Sequence, residues 1–188
     1  IIFLYTSFFH LYLYVFRLQN NNFKYNLSPL ENRSSKFIFK NQFIDNLIWT
    51  FLSAVPIWSA YEITFFWMFA NGYIMSINFG SNPIYFIILF LLIPIFHSIH
   101  FYFTHRLLHT KILYNIAHKI HHHNNNPGPW SGLSMHPIEH FIYFSGVFIY
   151  LLVPVHPFLY FIIFSTLELH RILVTVVMIK LFLKWKMA

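Results

Sequence analysis

The stretch IYFIILFLLIPIFHSIHFYFTHRLLH, residues 84 to 109, begins as an unbroken apolar run and ends in histidines and an arginine with no loop signal between. Such a run reads as one helix that crosses lipid and leaves it while still helical, since about 20 apolar residues suffice to span the hydrocarbon. Pro94 is placed to kink it.

Outward from this segment the same character persists. From Asn46 to His105 the single charged side chain is Glu62, and from Phe141 to Leu167 there is none. The 188 residues are 57% hydrophobic, 22% aromatic and 9% charged, with mean hydropathy +0.56. That balance excludes an ordinary soluble domain. The net charge of +7 does not indicate nucleic acid, because the basic residues form no stripe and flank apolar blocks, as lipid-headgroup contacts do. There is no cysteine, which removes disulfides, thiolate zinc sites, iron-sulfur clusters and thiolate haem. Any metal must use nitrogen and oxygen ligands.

The first sixteen residues, IIFLYTSFFHLYLYVF, lack a basic leading region and a small-residue cleavage site, so they read as a truncated membrane segment rather than a signal peptide. Residues 17 to 42 are polar, asparagine-rich and basic, a loop. An apolar stretch from about Phe43 to Met75 holds one long span or two half-spans broken near Pro56. Residues 71 to 83 form a turn, and NNNPGP at 124 to 129 a tight loop. Residues 141 to 167 return to the bilayer, where Pro154 and Pro157 can reverse the chain into two short spans. With the 17 to 42 loop, the histidine region and the tail on one face, all twelve Lys and Arg share that face, which the positive-inside rule makes cytosolic. The expected fold is an all-α integral-membrane helical bundle of about four spans with a cytosolic histidine-rich helical cap. It divides into residues 1–42 (apolar segment and basic loop), 43–167 (membrane domain) and 168–188 (basic tail).

Ten of the thirteen histidines fall within residues 97 to 140. His105 and His109 in HRLLH are four apart, so a helix presents both imidazoles to one metal. His118, His121 and His122 in HKIHH add a second set, and His136 and His140 in HPIEH a third, with Pro137 suited to a helix's first turn. Four ligands fill a structural zinc site, so seven imidazoles suggest two metal ions. Imidazole suits iron, copper and zinc alike. A metal pair at a membrane surface is placed for inert C–H bonds, which need a redox metal and oxygen rather than a Lewis acid.

At these boxes the chain resembles the fatty acid hydroxylase/sterol desaturase superfamily, through HFYFTHRLLH (100 to 109) and HKIHHHNNNPGPWSGLSMHPIEHFIYFS (118 to 145), over roughly residues 43 to 165. The connector PWSGLSMHP leans towards the sterol desaturase-like branch. The resemblance implies an endoplasmic reticulum oxidoreductase acting on a membrane lipid. Its two iron ions would be held on the cytosolic side by His105, His109, His118, His121, His122, His136 and His140. O2 would be co-substrate and a cytochrome b5-type protein the electron donor. Family members carry a further HxxHH box after the last hairpin. Residues 166 to 188 hold only His170, so the tail reads as atypical and truncated and an inactive family member is the competing reading.

Other residues have plainer readings. His97 and His100, deeper on the outgoing helix, either hydrogen-bond to the site or simply pack. His123 reads as a solvated neighbour of the ligands, and His10, His156 and His170 as interfacial. Arg106 suits headgroups or a carboxylate. HPIEH is also a literal H-x-x-E-H, the inverted zinc-peptidase motif with Glu139 as base, but that leaves five boxed histidines unexplained. Glu139 then orients a ligand histidine. A metal transporter would need ligands facing one another inside spans. Glu62, the single carboxylate inside a span, marks a function or a buried partner.

Overall fold

The computed structural model describes residues 2–18, 29–162 and Ser165. Within them the chain is helical, and its one β-type contact is an isolated antiparallel bridge between Asn32 and Asn41. The atypical tail, His170 and the asparagine-rich part of the first loop lie outside the described residues.

Helix α1 (Ile2–His10) runs into a π-helical turn at Leu11–Val15. Helix α2 (Gln42–Trp49) starts where Asn41 accepts the Ile44 N–H on its side chain, satisfying one of the donors a helix start leaves open. It does not break near Pro56. The Val55 N–H reaches back five residues to the Thr50 carbonyl, and the wide turn Thr50–Ala54 passes the chain into α3 (Val55–Ala70). Pro56 has no N–H to give, so slipping the hydrogen-bond ladder by one residue just before it keeps the helix whole. Of the two expected alternatives, the single span is the one that forms, over Gln42–Ala70.

Helix α4 (Pro83–Leu108) follows the turn at residues 71–82, where Gly72 takes φ +75°. Its 26 residues rise about 39 Å, against a hydrocarbon core of about 30 Å. A helix that long must emerge from lipid, and the end that emerges carries His105 and His109. Short helices α5 (Lys111–Leu113) and α6 (Lys119–His122) flank a π-helical turn at Tyr114–His118. Helix α7 (Pro137–Phe144) follows, with His136 accepting the Ile138 N–H at 3.2 Å as its cap and Pro137 in the first turn. It tightens into a 3₁₀ helix at Ser145–Leu151, and after a turn residues 157–162 are helical.

Two helices are therefore long and apolar enough to cross a membrane among the described residues. In the segment expected to turn back near Pro154 and Pro157, the described residues form a hairpin. Its tip returns to the turn before α4: the Val155 N–H donates to the Met75 carbonyl at 3.2 Å, and the Tyr85 hydroxyl to the Pro154 carbonyl at 3.1 Å. The turn before α4 and the tip near Pro154 thus lie together.

The core joins α3, α4 and the hairpin through Trp58, Phe65, Leu89, Ile93, Phe144, Val147 and Tyr160. On α4, Leu89, Ile93 and His97 recur every fourth residue and are buried, whereas Leu91 and Phe103 are 61% and 63% exposed. One helix face packs and the rest is apolar and uncovered, as lipid requires. The protein is an integral-membrane helical protein.

A buried polar joint ties the N-terminal loop to the histidine region. Gln42, fully buried, donates to the Asn124 side-chain oxygen at 3.1 Å and the Asn126 carbonyl at 2.8 Å, and accepts the Glu31 N–H at 2.9 Å. Gln42→Leu is expected to cost about 3 kcal/mol by orphaning these groups, read as a lowered midpoint in detergent unfolding. Because the chain has no cysteine, single substitutions Ser81→Cys and Asn125→Cys report topology cleanly. An impermeant maleimide is expected to label them from opposite sides of sealed vesicles, and labelling from one side would reject the arrangement.

Candidate metal centre

The exit of α4 from lipid sets the site. His105 in its last turn and His109 at its C-terminal cap meet edge to face, Nε2 to Nε2 at 3.1 Å. The π-helical turn before α6 brings His118 Nε2 to 3.3 Å from His109 Nε2, and His122 Nε2 lies 3.0 Å from His118 Nε2. Ring nitrogens from two boxed segments, HRLLH and HKIHH, thus come together. One ligand atom each from His105, His109 and His118 lie within 4.8 Å of one another, a group able to hold a metal ion.

Hydrogen bonding does not account for this arrangement. An imidazole nitrogen offers one in-plane site, either a proton or a lone pair. His109 and His118 would each have to share that one site between two neighbours. A metal with bonds of about 2.0–2.1 Å to imidazole separates adjacent ligand nitrogens by about 3.0–3.4 Å, the spacing found here. The residues fit a metal.

Glu139 fixes the central ligand. Its Oε1 lies 2.9 Å from His118 Nδ1, both side chains buried, so His118 carries its proton on Nδ1 and turns its Nε2 lone pair into the cluster. The carboxylate of the third box thereby aims a histidine of the second. Tyr114 walls the site, its ring 5.9 Å from His109 and 5.7 Å from His122. Burial, with His118 and His109 beside it, pushes the His122 imidazole below its usual range, and burial does the same at His123 and His136. Neutral imidazoles are the form that binds metal.

The remaining sequence candidates are placed differently. His121 stacks on His118 with ring centroids 5.7 Å apart. His140, fully buried, sets Nδ1 2.7 Å from the Ser53 hydroxyl in the wide turn of the first span. His136 spends Nδ1 on its helix cap, which leaves Nε2 for any ligation. His123 stands edge-on to Phe37. His97 and His100 engage Tyr150 and Ser145 in the hairpin rather than the ring cluster. Ser53 and Tyr114 were not foreseen from sequence. A serine in an apolar span is a signal, but nothing in the order of residues names His140 as its partner.

Comparison with known proteins agrees with this geometry. The family model described as fatty acid hydroxylase matches residues 90–186, just over half of the chain and past the point near residue 165 where the sequence resemblance was expected to end. The Delta(7)-sterol 5(6)-desaturase ERG3B of Gibberella zeae is 31% identical over 86 residues, which cover 45% of this chain and 26% of that protein. The chain therefore matches about a quarter of that relative's length. No solved structure matches. With the matched range containing every histidine of the converging cluster, the chain belongs to the fatty acid hydroxylase/sterol desaturase superfamily.

Proposed function

We propose that the chain is the membrane-embedded part of an iron- and oxygen-dependent oxidoreductase that hydroxylates or desaturates a membrane lipid, a fatty acyl chain or a sterol. The observation that carries this reading is the convergence of the His105, His109, His118 and His122 Nε2 atoms where an apolar helix leaves the hydrocarbon. A set of imidazoles at that depth lies within reach of acyl or ring carbons still buried in lipid.

In this reading His105, His109 and His118 hold one iron, with His122 beside His118, and His121, His136 and His140 contribute to a second. Iron supplies, with O2, the redox capacity that C–H cleavage needs and a Lewis acid lacks. The chain's own residues do the positioning. Glu139 holds His118 in the ligating tautomer, and Ser53 holds the His140 ring. The family match and the sterol desaturase relative support lipid oxidation. An endoplasmic reticulum location, a cytosolic face for the site and a cytochrome b5-type donor belong to the same proposal.

Glu139→Gln is expected to weaken metal binding about 10- to 100-fold, as loss of a carboxylate partner to a ligating histidine does, read by chelator competition. Protein expressed with ample iron is expected to hold about two iron ions per chain and to form an oxidised lipid under air but not under nitrogen. Purification with stoichiometric zinc alone and no oxygen-dependent lipid product would sink the proposal.

A further inference from the structure

Helix α4 passes its lipid boundary before it ends. At about 1.5 Å per residue it needs about 20 residues from Pro83 to cross about 30 Å of hydrocarbon. That count ends at Phe101, Tyr102 and Phe103, three exposed aromatic residues of the kind that settle at headgroup level. Arg106, one turn further, donates to the Tyr102 hydroxyl at 3.3 Å. The helical segment that follows, residues 111–122, therefore begins within about 12 Å of the boundary.

Helix α5, the π-helical turn and α6 make that segment continuous. Tyr114, His118 and His122, one from each successive turn, all set their rings beside that of His109, with centroids 5.9, 4.7 and 5.0 Å away. Turns gathered around one residue at the end of α4 mean that the segment crosses this end instead of prolonging it. Because α4 spans the bilayer, a segment lying across it runs along the membrane surface.

Burial along the segment alternates in pairs. Leu113 and Tyr114 are half-buried and Ala117 and His118 fully buried, whereas Lys111, Ile112, Asn115, Ile116 and Lys119 are exposed. The outer face thus carries two isoleucines four residues apart, 72% and 54% exposed. They follow the exposed apolar ridge that Ile95, Ile99, Phe103 and Leu107 form at the same spacing on α4. Among the described residues the ion pairs are Lys36 with Glu31 and His118 with Glu139, so Arg106, Lys111 and Lys119 have no carboxylate partner there. Exposed isoleucines flanked by unpaired cations are the composition of a helix that lies in a membrane interface.

We propose that residues 111–122 lie on the bilayer surface from which α4 emerges, with Ile112 and Ile116 entering the acyl boundary and Lys111 and Lys119 meeting the headgroups of anionic phospholipids. The occupant of this face is the bilayer, because α4 holds the segment beside the lipid boundary and phosphates at that height are the anions its cations lack. The opposite face of the same segment carries His118, so lipid contact on one side steadies half of the imidazole cluster on the other. The inference stands on the fold and holds whatever reaction the site performs.

The test places a single NBD fluorophore on the full, otherwise cysteine-free chain in nanodiscs, through Ile112→Cys or, as the aqueous reference, Asn125→Cys. A phospholipid with a nitroxide near the top of its acyl chain is expected to quench the label at 112 several-fold more than that at 125, and aqueous iodide the reverse. In mixed bilayers, nitroxide phosphatidylserine is expected to quench the label at 112 about 2-fold or more strongly than nitroxide phosphatidylcholine at equal mole fraction, since each lysine attracts anionic lipid by about 1 kcal/mol. The double variant Lys111→Gln, Lys119→Gln is expected to make the two lipids equal. Iodide quenching at 112 as strong as at 125 overturns the proposal. Protection of 112 from both quenchers also overturns it, because a protein surface then covers the face. Equal quenching by the two lipids before any lysine is changed overturns the assignment to anionic headgroups.

Discussion

The buried contact between Glu139 and His118 is the interaction on which the site depends. It joins the helix after the PWSGLSMHP connector to the segment before it, and it does so with a carboxylate and an imidazole that are both out of water. A carboxylate left alone there would be costly, so the pair holds the two segments in one register. The same contact decides which nitrogen of His118 looks into the cluster. Without it the four-nitrogen arrangement would lose its central member, since His118 touches both His109 and His122.

The second constraint is length. Helix α4 is longer than the hydrocarbon it crosses, and its excess is where the first two cluster histidines sit. The other long helix reaches the site by a different device, the wide turn at Thr50–Ala54, which keeps the span continuous past Pro56 and presents Ser53 to His140. π-helical turns recur at functional positions because they re-aim side chains without ending the helix. Here one such turn carries the hydroxyl beside His140, and another carries His118 itself.

Much of this was legible in the order of residues, for identifiable reasons. Spacing of four on a helix brings His105 to His109 and His118 to His122, and both pairs meet as that geometry demands. His136 before Pro137 announced a helix start, and the His156–Pro157 pair repeats it, with His156 Nδ1 accepting the Phe158 N–H. What was not legible depends on long-range packing. The Glu139–His118 partnership crosses 21 positions, and the Ser53–His140 contact crosses 87. The roles of His97 and His100 stayed open in sequence because they depend on a hairpin whose approach Gly146 permits.

The central proposal is that His105, His109 and His118, with His122 beside His118, hold one metal ion. X-ray absorption spectroscopy of the iron-loaded chain measures this most directly, because imidazole rings leave a multiple-scattering signature that water and carboxylate do not. The account predicts about three or four imidazoles per metal, with a clear drop in His109→Ala. A shell of oxygen ligands with no imidazole signature, or one indifferent to that substitution, would contradict it.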